Sequence, residues 1–229
     1  MKLYTGTADH VRERFAEVRE RVAAAAKRAG RSPSEVEILV ATKYVPIETM
    51  GVLLEAGIQL VGENRAQDLV AKHERYGSAF VWDFIGHLQS RKTKVVLPLV
   101  RLIHSVDSLS VVKEIQARAT NKVPVLLEVN VAGEESKSGV APEAVDEFLE
   151  RAAVSTKVEF QGLMCMPPLT ANPEEARPYF VRTRELAERL SAAWRGRYTF
   201  AQLSMGTSAD YEVAVEEGAT IVRVGSVLF

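Results

Sequence analysis

A lysine follows the first of several short apolar runs in the sequence, and its amine could act as a nucleophile. Lys43 comes directly after residues 36–42, a run rich in β-branched and apolar side chains. An amine at the end of a buried strand should be partly desolvated, and desolvation lowers the pKa of a lysine. The neutral amine is the form that attacks an aldehyde to make a Schiff base. The alternative from position alone is a solvated lysine at a strand end.

Small and hydroxyl-bearing residues follow two later apolar runs and could bind a phosphate group. Residues 204–208 read Ser-Met-Gly-Thr-Ser and precede a predicted helix, and Gly225 and Ser226 follow the last run. The N–H groups and hydroxyls of such turns bind phosphate oxygens. The alternative is a pair of ordinary turns with serines that cap helices.

Arg223 lies inside an apolar run, residues 221–224, where a guanidinium group needs a buried or bound partner. That partner could be a carboxylate in a structural salt bridge. If a pyridoxal 5'-phosphate (PLP) ring lay between Lys43 and the phosphate-binding turns, Arg223 could instead donate to the pyridine nitrogen. A permanently charged donor would keep that nitrogen unprotonated and weaken the ring as an electron sink.

The remaining reactive side chains are interpreted mainly as structural. His87 and His104 end neighbouring runs, and each is either a general acid or base or a satisfied rim histidine. The four histidines show no metal-ligand spacing, so we expect no metal. Cys165 is expected to be a packing residue. Lys137, in the long loop 130–139, is either a second amine near the site or a solvated loop lysine.

Eight short apolar runs alternate with helical stretches and predict the fold. The helical stretches are residues 47–56, 65–76, 109–119, 142–153, 173–193 and 209–217. This alternation predicts a single-domain α/β protein, a (β/α)8 TIM-type barrel over residues 36–229. The alternative, an open doubly wound sheet, lacks its usual G-x-G-x-x-G sequence. The strands are predicted at residues 36–42, 60–62, 81–86, 102–106, 125–131, 160–164, 200–204 and 220–224.

An amphipathic N-terminal helix is predicted within residues 1–30, from apolar residues at steps of three and four. The sequence ends just after the eighth run, at Phe229, so no helix follows that strand. We expect the N-terminal helix to cover the resulting gap on the outside of the barrel. The whole chain, residues 1–229, is then one PLP-binding domain.

Composition and charge limit the classes of partner. The chain of 229 residues is 47% hydrophobic with a net charge of −1, so no long-range field attracts nucleic acid or an anionic membrane. The single cysteine fits a reducing compartment, and the charged N-terminus lacks an apolar signal segment. We expect a cytoplasmic monomer with no nucleic-acid and no membrane partner.

Seven segments carry a resemblance to a known family. They are residues 40–43, 62–67, 84–90, 130–139, 162–166, 203–208 and 216–226. In this order they resemble the pyridoxal phosphate homeostasis protein family (YggS/PROSC type), whose barrel is similar to the N-terminal domain of alanine racemase. The chain departs from the family at Val45, where many members have a second lysine, and at Cys165, where threonine is common.

The resemblance implies a PLP carrier or regulator of vitamin B6 and amino-acid homeostasis, with PLP held covalently as a Schiff base on Lys43. PLP-dependent apoenzymes are the implied recipients. The other implied contacts are a phosphate site at Ser204, Gly225 and Ser226, a pyridine-nitrogen partner at Arg223, and pocket walls at Asn64 and Met205.

A protein without catalytic turnover is the leading hypothesis. Racemases of similar barrel type have a second β domain that supplies a catalytic tyrosine, and this sequence ends at the eighth strand. Two enzymatic alternatives stay open. One is a PLP-dependent amino-acid racemase, and the other is a Schiff-base lyase or aldolase that uses Lys43 directly on a phosphorylated carbonyl substrate.

Overall fold

The computed structural model describes residues 6–134 and 138–229, and its strands form one closed parallel barrel. Each strand pairs in parallel with the next, and the eighth pairs with the first. This confirms the predicted (β/α)8 fold. The strands are β1 (Glu37–Ala41), β2 (Leu60–Glu63), β3 (Val81–Phe84), β4 (Leu102–Val106), β5 (Val123–Val129), β6 (Val158–Cys165), β7 (Gln202–Thr207) and β8 (Ile221–Val224).

Helices surround the barrel and connect its strands. Three predicted helical stretches begin as short 3-10 turns, at Ile47–Thr49, Pro142–Ala144 and Pro173–Ala176. Within the described ranges, no helix is long and apolar enough to cross a membrane. The helices are α1 (Ala8–Arg28), α2 (Gly51–Glu55), α3 (Ala66–Tyr76), α4 (Thr93–Val96), α5 (Leu109–Arg118), α6 (Val145–Ala152), α7 (Arg177–Ala193) and α8 (Tyr211–Glu216).

The N-terminal helix α1 covers the outside of the barrel between the last helix, α8, and the first helix after β1, α2. It packs against α8 and α2, and against the 3-10 turn Ser226–Leu228 that follows β8. Thr7 caps its start by accepting a hydrogen bond from the N–H of His10. Its buried face includes Val11, Val18 and Val22. The position expected for this helix is therefore confirmed.

An apolar layer lies in the barrel interior beneath the mouth. Side chains alternate between the interior and the helices along each strand, so only every second residue contributes. In β1 the interior residues are Leu39 and Ala41, and Lys43 continues this alternation beyond the strand. In β8 they are Ile221 and Arg223. The buried members of this layer are Leu39, Ile85, Leu102, Leu126, Met164 and Ile221.

Candidate functional site

A cavity of about 230 Å³ opens at the C-terminal end of the barrel. It combines an amine, a guanidinium group, hydroxyls and apolar walls, and this is the face on which barrel enzymes place their sites. Of the predicted site residues, the structure brings together Lys43, Asn64, Arg223, Gly225 and Ser226. The complete lining is Ala41, Lys43, Tyr44, Asn64, Ile85, Met166, Leu169, Thr207, Ser208, Ala209, Arg223, Gly225 and Ser226.

Lys43 lies on the wall of this cavity with an exposed side chain. Its Nζ atom is 4.9 Å from the ring centroid of Tyr44. Partial desolvation of the amine stays a prediction, but the residue is more exposed than the buried strand before it. The reason is that Lys43 lies two residues beyond Ala41, the last residue of β1, and has left the buried part of the strand. An aldehyde that enters the cavity can reach the amine directly.

A buried ion pair behind the cavity holds the backbone on which Lys43 lies. Lys72 of α3 contacts Glu63 Oε1, and its Nζ donates to the carbonyl oxygen of Thr42 at 2.7 Å. Thr42 Oγ1 also donates to Glu63 Oε1, at 2.7 Å. Both members of the ion pair are buried. The chain just before Lys43 is thus fixed by four hydrogen-bonding groups.

Asn64 lines the cavity, is held by the same carboxylate, and has a buried acceptor without a partner. Its N–H donates to Glu63 Oε2 at 3.2 Å, while its Oδ1 atom is buried without a hydrogen-bond partner among the described residues. Its backbone also lies against Gly86, where a Cβ atom would come within 2.1 Å of the Asn64 carbonyl oxygen. A buried acceptor without a partner is costly unless a ligand supplies a donor. Asn64 therefore fits a ligand that carries a hydroxyl or amine.

The turns after β7 and β8 are joined into one polar surface. Ser208 Oγ accepts a hydrogen bond of 2.9 Å from the N–H of Gly225. Asp210 Oδ1 accepts from the N–H of Thr207 at 2.6 Å and from its hydroxyl at 3.0 Å. Thr207, Ser208 and Ser226 thereby present hydroxyls on the same cavity wall. Barrels commonly bind phosphate between these two turns.

Glycine is required near the end of β7, one residue before the strand ends and the turn begins. Gly206 has φ +88°, a conformation that L residues rarely adopt. A Cβ atom there would lie 2.5 Å from the Cβ of Ala214 in α8. The turn that carries Thr207 and Ser208 therefore packs directly on α8.

The structure does not bring Ser204 and Met205 to the cavity. Ser204 is fully buried one layer deeper in the barrel, where its hydroxyl contacts His104 and Arg223. Met205 follows it in the strand and so points outward, into the core between strands and helices. The apolar pattern predicts the end of β7 at residue 204, three residues too early, but the segment 204–208 predicted for phosphate does include the lining residues Thr207 and Ser208.

Arg223 is almost fully buried, with 4% of its surface exposed, but it still lines the cavity. Its Nη1 donates to the carbonyl oxygen of Ser204 at 2.7 Å and to its Oγ at 2.5 Å, and its Nη2 donates to the carbonyl oxygen of Cys165 at 2.9 Å. These acceptors are neutral. Burial lowers the pKa of Arg223, although a guanidinium group stays protonated in proteins. A cationic donor is thus held at the floor of the cavity.

His104 is an interior residue, not a rim residue, and both of its ring nitrogens have partners. Nδ1 lies 2.8 Å from Ser204 Oγ, and Nε2 lies 3.1 Å from Asp83 Oδ2. Burial lowers the pKa of His104. Arg101 donates to both oxygens of Asp83, at 3.0 and 2.7 Å. The sequence does not single out Asp83 and Arg101, because Asp83 lies in β3, Arg101 lies just before β4, and no short motif links them.

Another buried carboxyl group lies near the end of β5. Glu128 is 7% exposed, and its Oε2 atom finds no partner within residues 6–134 and 138–229. Burial, and then the charge of Asp107, raise the pKa of Glu128 to about 7. His87, the other histidine named from the sequence, is exposed and lies 3.5 Å from Asp107. Glu128 therefore changes charge near neutral pH.

The other predictions for reactive side chains have mixed outcomes. Cys165 is buried, and burial raises the pKa of its thiol to about 11, so it is a packing residue as predicted. Among the described residues, no group of three His, Cys, Asp or Glu side chains could hold a metal ion. Val45 is buried in the core. Lys137 lies outside the described residues.

A (β/α)8 barrel with a lysine at the C-terminal end of its first strand is the class of protein that the structure defines. Comparison with known proteins gives the same class. Residues 9–229 match the family described as "Alanine racemase, N-terminal domain". The pyridoxal phosphate homeostasis protein of Aquifex aeolicus is 44% identical over 95% of this chain and 96% of the relative. That of Pseudomonas aeruginosa is 35% identical over 96% and 94%. The chain belongs to the pyridoxal phosphate homeostasis protein family.

A solved structure extends this comparison to three dimensions. PipY of Synechococcus elongatus, in a structure described as having PLP bound, superposes with a TM-score of 0.80. It is 28% identical to this chain, and the alignment covers 96% of this chain and 99% of PipY.

Proposed function

We propose that this protein binds PLP as a Schiff base on Lys43 and holds it for intracellular vitamin B6 and amino-acid homeostasis. The observation that carries the proposal is that Lys43, Arg223 and the hydroxyls of the β7 and β8 turns line one cavity. PLP has an aldehyde, a ring nitrogen and a phosphate, and each has a suitable group on these walls. The homeostasis proteins of the family and the PLP-bound PipY structure support the same ligand.

Each cavity residue has a definite role in this proposal. The Lys43 amine attacks the aldehyde carbon, a C=N bond forms and water leaves. The hydroxyls of Thr207, Ser208 and Ser226 and the turn at Gly225 bind the phosphate. Asn64 Oδ1 accepts a hydrogen bond from a ligand donor. Ser204 binds Arg223 from below the cavity, and Met205 packs in the core behind β7. Neither residue would contact PLP directly.

Arg223 favours storage of the cofactor over turnover. PLP supplies an electron sink when its pyridine nitrogen is protonated. Arg223 remains protonated and can only donate, so it would leave that nitrogen without a proton. The site would therefore hold PLP covalently but weaken the chemistry that racemases and decarboxylases need.

The wider role follows from the same site. Lys43 and its cavity are open to solvent, so PLP-dependent apoenzymes could receive the cofactor. We further propose that the protein acts in the cytoplasm as a monomer. The small number of large apolar side chains exposed in the described part of the chain supports a monomer. Those side chains are Val81, Val154, Met166 and Leu169.

The proposal is tested by the visible absorption of purified protein mixed with PLP. A Schiff base on Lys43 gives a visible band that disappears in Lys43→Ala. Lys94→Ala is the matched control, because Lys94 is an exposed lysine on α4. Its band should equal that of the unmodified protein. A Lys43→Ala variant that keeps the full band would overturn the proposal.

Amino-acid racemisation is the second candidate, because the family match is to a racemase domain. PLP-loaded protein is incubated with L-alanine, and D-alanine is measured. Robust turnover that Lys43→Ala abolishes would replace the carrier function with catalysis. A Schiff-base lyase or aldolase that uses Lys43 directly would carry no PLP, so the purified protein would stay colourless after PLP is added and dialysed away.

A further inference from the structure

Four polar side chains form a continuous hydrogen-bonded line across the barrel interior. It runs from Asp83 in β3 through His104 in β4 and Ser204 in β7 to Arg223 in β8, with successive contacts of 3.1, 2.8 and 2.5 Å. The first three side chains are fully buried, and Arg223 is 4% exposed. Only Arg223 lines the cavity. The line therefore connects the interior of the barrel to the ligand-binding floor.

Hydrogen-bonding capacities fix the direction of every contact in this line. Burial would raise the pKa of Asp83, but hydrogen bonds from His104 and Arg101 outweigh it and hold that pKa below its usual range. Asp83 is therefore an ionised acceptor, and the hydrogen between it and His104 must lie on Nε2. Because His104 is neutral, its Nδ1 carries a lone pair and accepts the hydroxyl hydrogen of Ser204.

The orientation of the Ser204 hydroxyl then determines its contact with Arg223. With its hydrogen directed at His104, Ser204 Oγ presents only lone pairs to Arg223 Nη1. The opposite histidine tautomer would place a hydrogen on Nδ1. Ser204 Oγ would then have to accept from both His104 and Arg223, and its own hydrogen would have to point elsewhere.

We propose that His104 positions Arg223 for its contact with the cofactor ring, acting through Ser204, and that Asp83 selects the histidine tautomer that this requires. The contact with the ring rests on the proposed function. The tautomer and the hydroxyl orientation are properties of the protein alone and can be measured without PLP.

An Asp–His–Ser set can also activate a serine nucleophile, but the geometry excludes that role for this one. Ser204 is fully buried, and its oxygen is already bound by Arg223. A substrate carbonyl would need to approach that same oxygen. Asp83, His104 and Ser204 therefore orient the guanidinium group of Arg223.

The first test uses nitrogen-15 NMR of the PLP-free protein, with the His104 signals assigned by their loss in His104→Gln. The proposal requires a protonated, pyrrole-like Nε2 and an unprotonated, pyridine-like Nδ1. In Asp83→Asn the charged acceptor that selects this tautomer is lost, and the fraction of the Nε2–H form should fall. An Nδ1–H tautomer or a doubly protonated ring in the unmodified protein would overturn the proposal.

The second test compares PLP-bound variants by affinity and by the position of the visible band. His104→Leu removes the acceptor of the Ser204 hydroxyl and should weaken PLP binding by about tenfold, a loss of about 1.4 kcal/mol. It should also shift the band. His104→Asn restores an acceptor near the position of Nδ1 and should recover part of both losses.

Ser204→Ala should reproduce the effect of His104→Leu, and the double variant should lose no more than either single one. Thr93→Val is the matched control, because Thr93 is also a fully buried hydroxyl but lies on α4. It should leave the band unchanged. Additive losses in the double variant, or an unshifted band in a folded His104→Leu, would overturn the proposal. Failure of the proposed function is distinct, because the unmodified protein would then show no band at all.

Discussion

Lys72 Nζ donates to the carbonyl oxygen of Thr42 at 2.7 Å, so a helix outside the barrel holds the backbone immediately before Lys43. The same ammonium group forms a buried ion pair with Glu63, whose other oxygen binds the N–H of Asn64. Two residues on the cavity wall thus depend on one ion pair that itself makes no contact with the cavity.

We predict that Lys72→Met destabilises the protein strongly. The change leaves the Glu63 carboxylate buried without its cation, which costs about 3–5 kcal/mol in comparable cases. Urea unfolding measures this change in free energy. Lys94→Met, at an exposed position, should change the free energy of unfolding by less than about 0.5 kcal/mol. A loss below about 1 kcal/mol in Lys72→Met would show that the ion pair does not support this region.

Glu128 gives a prediction about pH. Its folded pKa of about 7 lies above the ordinary value of 4.5, so the ionised form is disfavoured in the fold. The cost is complete above pH 7, shrinks as the pH falls, and is absent below pH 4.5. Glu128→Gln should therefore increase the free energy of unfolding by about 1–3 kcal/mol above neutral pH, and by nothing in acid.

Unfolding of Glu128→Gln is followed by urea titration at several pH values. Glu143→Gln serves as the control, because Glu143 is exposed and its substitution should give a flat pH difference. A Glu128→Gln gain that is equal at acid and alkaline pH would contradict the assignment of a raised pKa.

Two glycines with similar φ angles allow the cost of a steric clash to be measured apart from the cost of backbone strain. Gly206 has φ +88° and no space for a Cβ atom, whereas Gly196 has φ +86° and nothing within 4 Å. Gly196→Ala should cost about 1–2 kcal/mol from the left-handed conformation alone. Gly206→Ala should cost about 1–3 kcal/mol more, because α8 must move. Thermal unfolding measures both, and equal losses would refute close packing of the β7 turn on α8.

The phosphate end of the site is tested with two ligands. Ser208→Ala removes a hydroxyl from the cavity wall and the acceptor for the N–H of Gly225. It should weaken binding of PLP by about tenfold, as for a hydrogen bond to a charged group. Binding of pyridoxal, which has no phosphate, should stay nearly constant. Ser110→Ala, at an exposed serine on α5, is the control. Equal losses for both ligands would place the phosphate elsewhere.

The sequence predicts the barrel well because its strands are nearly continuous apolar runs separated by helical stretches. It does not predict α4 (Thr93–Val96), which is too short for any helical periodicity to be visible. The apolar pattern predicts the end of β7 at Ser204 instead of Thr207, and so predicts Ser204 at the mouth although it lies one layer deeper in the barrel. An error of three residues in the predicted end of a strand is enough to mistake a buried residue for one at the mouth of the barrel.

The interior hydrogen-bonded line was beyond the reach of sequence reasoning for a different reason. His104 and Ser204 are 100 residues apart and meet only because the barrel closes. Lys72 did leave a signal that was missed. It follows Ala66 and Leu69 at steps of three on the buried face of α3, where a lysine needs a buried partner.

The central claim is that Lys43 is the residue to which PLP is covalently attached. The most direct measurement is reduction of the PLP-loaded protein with borohydride, followed by peptide mass mapping of every lysine. We expect one pyridoxyl adduct, on the peptide that contains Lys43. An adduct on another lysine with Lys43 unmodified, or no adduct on a protein that retains PLP, would contradict it.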